Sequence, residues 1–139
     1  MRLFIDGNII LDVLQSRTPY VNDSALIWKI CETNQAEGYV SSLTFANLVY
    51  VMRNELSSET IEKVLQKLMI VFHFTDLTGE DLKKAASLRW NDFEDAVQSV
   101  TAGRIHADYI ITRNIRDFSQ SKTPVLTPLE FLQRFWNVP

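Results

Sequence analysis

Three short polar clusters hold the side chains best equipped for chemistry. Asp6 ends the apolar run Leu3-Phe4-Ile5 and is followed by Gly7-Asn8. Asp92-Phe93-Glu94-Asp95 stands where a helix can open, and Thr112-Arg113-Asn114-Ile115-Arg116-Asp117-Phe118 follows Ile110-Ile111. Carboxylates, amides and hydroxyls are hard oxygen donors, the kind that Mg²⁺ and Mn²⁺ take. In an open α/β sheet, ligands bind beyond the carboxyl ends of the strands. Two clusters that follow strands and one that opens a helix can therefore meet along one edge. Such a set would serve metal-assisted hydrolysis of a phosphodiester, because a cation bridges an acidic pocket and a phosphate that otherwise repel each other.

Each cluster also has a plainer reading. Asp6 serves as a turn former or cap, or as a ligand beyond a buried strand. Asn8 is expected to cap the first helix, worth ~1 kcal/mol, and its amide can also bond a ligating carboxylate. Asp12, one turn on, either supports a ligand from behind or is solvated. Asp92 can cap a helix whose third residue is Asp95, where negative charge meets the helix dipole. Small Ala102 and Gly103 would let that helix lie close to the sheet and hold Asp95 near the strand ends. Glu94 is expected to point elsewhere, into solvent. Thr112, Asn114 and Asp117 form a turn or a polar site, with Phe118 anchoring the loop in the core. Arg113 and Arg116 meet phosphates or solvent. His73 and His106 carry no ligand spacing, and there is no zinc pattern, P-loop or nucleophile elbow. Trp28, Trp90 and Trp136 read as packing residues.

Strands and helices alternate around these clusters. Residues 2–6 read as a buried strand. A helix follows, with Ile9, Ile10, Leu11, Val13 and Leu14, then a loop at 17–20. The second helix starts near Asn22 or Asp23 and buries Ile27, Ile30 and Cys31, until Gly38 breaks it. Residues 39–41 form a short strand and 42–54 a helix with Leu48, Val51 and Met52. Ser57 or Ser58 caps a helix in which Ile61, Val64, Leu65, Leu68 and Met69 keep helical spacing. The β-branched and aromatic stretch 70–74 predicts a strand. Thr78 and Asp81 form a capping box for a helix to about Trp90, 92–107 is helical, and 109–112 and 124–126 are strands. Thr127, Pro128 and Glu130 open a last helix carrying Phe131, Leu132 and Phe135. This alternation predicts an α/β fold, a mainly parallel sheet flanked by helices on both faces. The apolar helices between Ser42 and Met69 pack in the core or form a partner interface.

The chain of 139 residues is 46% hydrophobic and 22% charged, which suits one globular domain over residues 1–139. Its net charge of −3 is not that of a protein holding nucleic acid by bulk electrostatics. No apolar run reaches the ~20 residues of a membrane span, and the start of the chain carries no secretory signal. The single cysteine, Cys31, has no partner for an internal disulfide, which suits a reducing, cytoplasmic setting.

In the order and spacing of 4–8, 41–47, 92–96 and 110–118, the chain resembles the PIN-domain family, especially the VapC-type toxin nucleases of type II toxin–antitoxin pairs. The resemblance implies a Rossmann-like sheet, metal-dependent ribonuclease activity with Mg²⁺ or Mn²⁺, an RNA substrate, a cognate antitoxin and a homodimer. It carries the metal ligands onto Asp6, Asp95 and Asp117. The remaining catalytic positions fall on Asp92, Thr112 and Asn47. Gly7 stands where the family often has Thr, and Asn47 where it has a glutamate on the third helix. Those two departures support the alternative of a weakened or inactive PIN module that binds RNA or a protein. A haloacid-dehalogenase-like phosphatase would need an acid where Asn8 stands, and a receiver domain would need an acidic pair where Asp6-Gly7 stands.

Overall fold

The computed structural model describes residues 1–139. The chain runs β1 (Arg2–Ile5), α1 (Gly7–Leu14), α2 (Val21–Glu32), β2 (Glu37–Ser41), α3 (Ser42–Met52), α4 (Ser58–Val71), β3 (His73–Thr75), α5 (Gly79–Leu88) and α6 (Phe93–Arg104). It continues through β4 (Tyr109–Ile111), a 3₁₀ turn at Ile115–Phe118, β5 (Val125–Leu126) and α7 (Pro128–Phe135). All five strands are parallel, in the order β3-β2-β1-β4-β5. The α/β architecture is therefore the expected one.

Strand alternation divides the core between the two faces of the sheet. Leu3, Ile5, Val40 and Ile111 pack with Ile9 and Ile10 of α1, Ile27 of α2, Leu68 of α4 and Phe131 of α7. Phe4 and Ile110 point the other way, onto Ala102 of α6 and Phe118 of the 3₁₀ turn. Phe118 is 1% exposed and so pins the loop after β4, as its place in the sequence suggests. Arg104 ties α6 to α5: its Nε donates to the buried Asp81 carboxylate at 3.0 and 3.2 Å, and its Nη2 to the Asp76 carbonyl at 2.7 Å. Burial pushes the Asp81 carboxyl up, but Arg104 and the Thr78 cap outweigh it and hold the group below its ordinary range.

The capping boxes at Thr78/Asp81 and Thr127/Glu130 form as their spacing predicts. Four local expectations are corrected. The cap position of α1 belongs to Asp6, and Asn8 lies inside the first turn. Gly38 does not stop a helix. α2 has already ended at Glu32, with Asn34 left-handed at φ 60°, and Gly38 sits within β2. There a Cβ would meet Cys31 Sγ at 2.7 Å and a Phe72 ring carbon at 2.8 Å. The predicted strand at 70–74 begins only at His73, because α4 continues to Val71. Ile61, Leu68 and Val71 keep one helical face buried, which leaves Ile70 85% exposed on the other. Gly103 gives no close approach, since nothing lies within 4 Å of where its Cβ would be; Ala102 alone makes the tight contact with the sheet. No helix is long and apolar enough to cross a membrane.

Candidate functional site

The sheet order reverses direction at β1, whose neighbours are β2 on one side and β4 on the other. This is the switch point at which α/β sheets hold their ligands. Ile5 lies in register with Ile111, so the next residues, Asp6 and Thr112, leave the sheet side by side. The Asp6 N–H prolongs the ladder by donating to the Ile111 carbonyl at 3.0 Å.

Asp6 occupies the cap position of α1, yet its side chain makes no cap hydrogen bond. Its Oδ2 accepts instead from the Thr112 hydroxyl at 2.7 Å, and Thr112 Oγ1 in turn accepts from the Asn114 N–H at 3.1 Å. Burial raises the Asp6 pKa above the ordinary carboxylate value; Thr112, the N–H groups of Gly7 and Asn8, and the Gln98 side chain pull it back in part.

Asp92 takes the role that Asp6 leaves unused. It is the N-cap of α6, and its Oδ1 accepts from the Asp95 N–H at 3.0 Å. Asp95, at the third helical position, is half-buried and its pKa rises to about 7. Desolvation is the largest cause, followed by the charges of Asp92, Asp6, Asp117 and Glu94. The charges of four neighbouring carboxylates thus add to the cost of ionising Asp95.

The structure redistributes several candidate residues. Glu94 is exposed, as expected, but it does not point away from the site: its Oε1 accepts from the Asn47 amide at 3.0 Å, and both line a cleft with Asp6, Gly7, Asn8 and Thr44. Where α3 has an amide, α6 therefore supplies a carboxylate beside it. Gly7 is dictated by packing, because a Cβ there would stand 2.8 Å from Thr44 Cγ2. Asp12 is not solvated but wholly buried, accepting from Ser24 Oγ at 2.9 Å. Arg113 Nε stands 2.9 Å from Asp12 Oδ2, a charge contact rather than a linear hydrogen bond, and its guanidinium lies 4.0 Å over the Tyr20 ring. That occupies Arg113 internally and leaves Arg116 exposed. His73 is exposed against the Tyr39 ring. Trp28, Trp90 and Trp136 pack on Phe72, Phe118 and Phe131.

Gln98 escaped the sequence reading, although its spacing from Asp95, one helical turn, puts both on one face of α6. It is 2% exposed, and its Oε1 and the Oδ1 of Asn8 are buried oxygens with no hydrogen-bond partner. No three His, Cys, Asp or Glu side chains stand close enough to grip one ion together. That donor set still fits Mg²⁺, which keeps much of its water shell and takes only one or two protein carboxylates. Hydrating water would also give the Gln98 and Asn8 oxygens the donors they lack.

Comparison with known proteins agrees with this architecture. The model of the PIN domain family matches residues 2–116. The chain is 24% identical to Ribonuclease VapC1 of Aquifex aeolicus over 141 residues, covering 98% of this chain and 96% of that protein. In fold it resembles the chain in a structure of FitAB bound to the IR36 DNA fragment, with TM-score 0.72, 16% identity, and 91% and 94% of the two chains covered. VapBC2 of Rickettsia felis, bound to a DNA fragment from its promoter, gives TM-score 0.70 and 15% identity over 91% of this chain and 98% of that one.

Proposed function

The chain belongs to the PIN domain family, and from that premise we propose that it is a metal-dependent endoribonuclease and the toxin of a type II toxin–antitoxin pair. The observation that carries the reading is the pairing of Asp6 with Thr112 at the switch point of the sheet, beyond the ends of β1 and β4. The relative named Ribonuclease VapC1 and the fold neighbours that are toxin–antitoxin complexes support it.

In this reading Asp6 and Asp95 would hold the principal Mg²⁺ or Mn²⁺, and Asp117 and Asp92 would hold a second ion or ordered water. The cation would neutralise the phosphodiester, activate the attacking water and stabilise charge on the leaving oxygen. Thr112 fixes the Asp6 carboxylate through its 2.7 Å hydrogen bond. Asn47 holds Glu94 at the rim. A cognate antitoxin would cover the acidic groove with a segment carrying a basic side chain. We further propose a single domain, a cytoplasmic setting and a homodimer.

The test is cleavage of single-stranded RNA by purified protein in Mg²⁺ or Mn²⁺. Asp6→Asn and Asp95→Asn should each abolish it while the fold survives, and undiminished cleavage by both would sink the assignment. The second reading, a PIN module that binds without cleaving, draws on Asn47 and on the absence of a ready three-carboxylate grip. Calorimetry separates the two, because a protein that takes up neither ion at millimolar concentration yet still binds RNA is the non-cleaving module.

A further inference from the structure

A second polar cleft adjoins the carboxylates, and its lining includes Arg89, Trp90, Asp92, Arg116, Asp117 and Gln120. We propose that Arg89 and Arg116 form a subsite for a backbone phosphate of single-stranded RNA, next to the phosphate that is cut. The inference rests on the nuclease reading and adds to it where the strand lies.

The two arginines of this cleft stand beside the site's acids and are free to take a ligand. Arg2, Arg17, Arg104 and Arg113 are held by Glu37, Asp12, Asp81 and Asp12. Arg89 and Arg116 form no salt bridge, although Asp92 and Asp117 line the same cleft. Acids and guanidiniums that share a wall without pairing leave room for something between them. A phosphodiester joined to the carboxylates by a cation, and to the arginines directly, completes that order of alternating charge.

Position supports the same occupant. Arg116 immediately precedes Asp117 on the 3₁₀ turn. Arg89 ends α5 in a left-handed conformation, φ 57°, three residues before Asp92. Both guanidiniums are therefore tethered to a site acid by a short connection. Trp90, edge-on to the buried Phe118, anchors the wall of the cleft in the core. Guanidinium is the side chain that best matches phosphate oxygens, in a two-pronged contact. With a net charge of −3, the protein lacks a general attraction for RNA, so a few placed arginines must do the holding. Arg113, the other arginine near the site, is taken up by Asp12 and Tyr20.

The experiment is a fluorescence-anisotropy titration of a short, mixed-sequence 2′-O-methyl RNA, which is not cut, over a range of salt in Mg²⁺. Wild type is compared with Arg116→Ala, with Arg89→Gly (which suits the left-handed backbone), with the double variant, and with Lys63→Ala/Lys67→Ala on α4 as a charge control. Each arginine variant should weaken binding about 5- to 10-fold at low salt, and the log–log salt slope should fall by ~0.7 per lost phosphate contact. On a cleavable RNA the double variant should raise KM with kcat nearly kept. Equal slopes in wild type and double variant, or an equal loss in the lysine control, overturn the subsite while leaving the nuclease reading untouched. If wild type cleaves no RNA but the arginines still set the slope, the nuclease reading falls and the subsite stands as an RNA contact.

Discussion

Replacing Asp95 by Asn should make the metal-free protein more stable, even as it destroys the site. The folded state holds the Asp95 proton with a pKa of about 7, against 3.8 for an ordinary aspartate. Between those values the folded chain binds more protons than the unfolded one, so stability falls as pH rises through the window. The penalty is absent below the ordinary value and complete above about 7. At ~1.36 kcal/mol per unit, the full shift would correspond to about 4 kcal/mol. The carboxylate is only half-buried, and solvent screening reduces that figure strongly. An ionised Asp at the third position of α6 also gains ~0.5 kcal/mol from the helix dipole, which Asn gives up. The net gain expected for Asp95→Asn at pH 8 is thus about 1–2 kcal/mol. Urea unfolding in EDTA at pH 5 and pH 8 measures it. Wild type should lose stability between the two, and the variant should lose less. Adding Mg²⁺ at pH 8 should recover wild type and leave the variant unchanged. An Asp95→Asn protein less stable than wild type at pH 8 in EDTA would refute the claim that this carboxylate is electrostatically strained.

Three further outcomes follow from the packing. Asp12→Ala removes the buried partner of Arg113, Arg17 and Ser24 and should cost about 3–5 kcal/mol in chemical denaturation. Gly7→Thr, which installs the residue common in the family, should cost about 1–3 kcal/mol through its contact with Thr44. Adding Thr44→Ser, which deletes the opposing Cγ2, should return most of that loss in thermal unfolding. Thr112→Val takes the hydroxyl from Asp6 and should lower Mg²⁺ affinity or RNA cleavage about 10- to 100-fold, measured by calorimetry and by initial rates.

Alternation of apolar runs with helical periods was enough to read the parallel sheet and the capping boxes, because those signals are local. The misreadings arose where distant residues decide. Gly38 looked like a breaker, but Cys31 and Phe72, brought against β2 by the fold, exclude a side chain there. The stretch 70–74 is rich in strand formers, yet the buried stripe of α4 carried the helix through Val71. In the site, Asp6 was legible from its place after a buried strand. Glu94 was not, because its partner Asn47 is 47 residues away on another helix. The role of Asp12 is hidden for the same reason: only the fold brings Arg113 and Ser24 to it. Neutral Gln98 carries no charge signal in the sequence, although it lies one turn beyond Asp95.

The hydrogen bond between Thr112 and Asp6 spans 106 residues of chain. On the ribosome, β1, β2 and β3 emerge early and can pair, but the side of β1 that receives β4 stays open until residues 109–111 have been made. Until then Asp6 stands without Thr112, and Asp117 does not yet exist. A nascent or truncated chain thus cannot assemble the site, which closes only near the end of translation. The same delay exposes a bare strand edge in every unfinished copy.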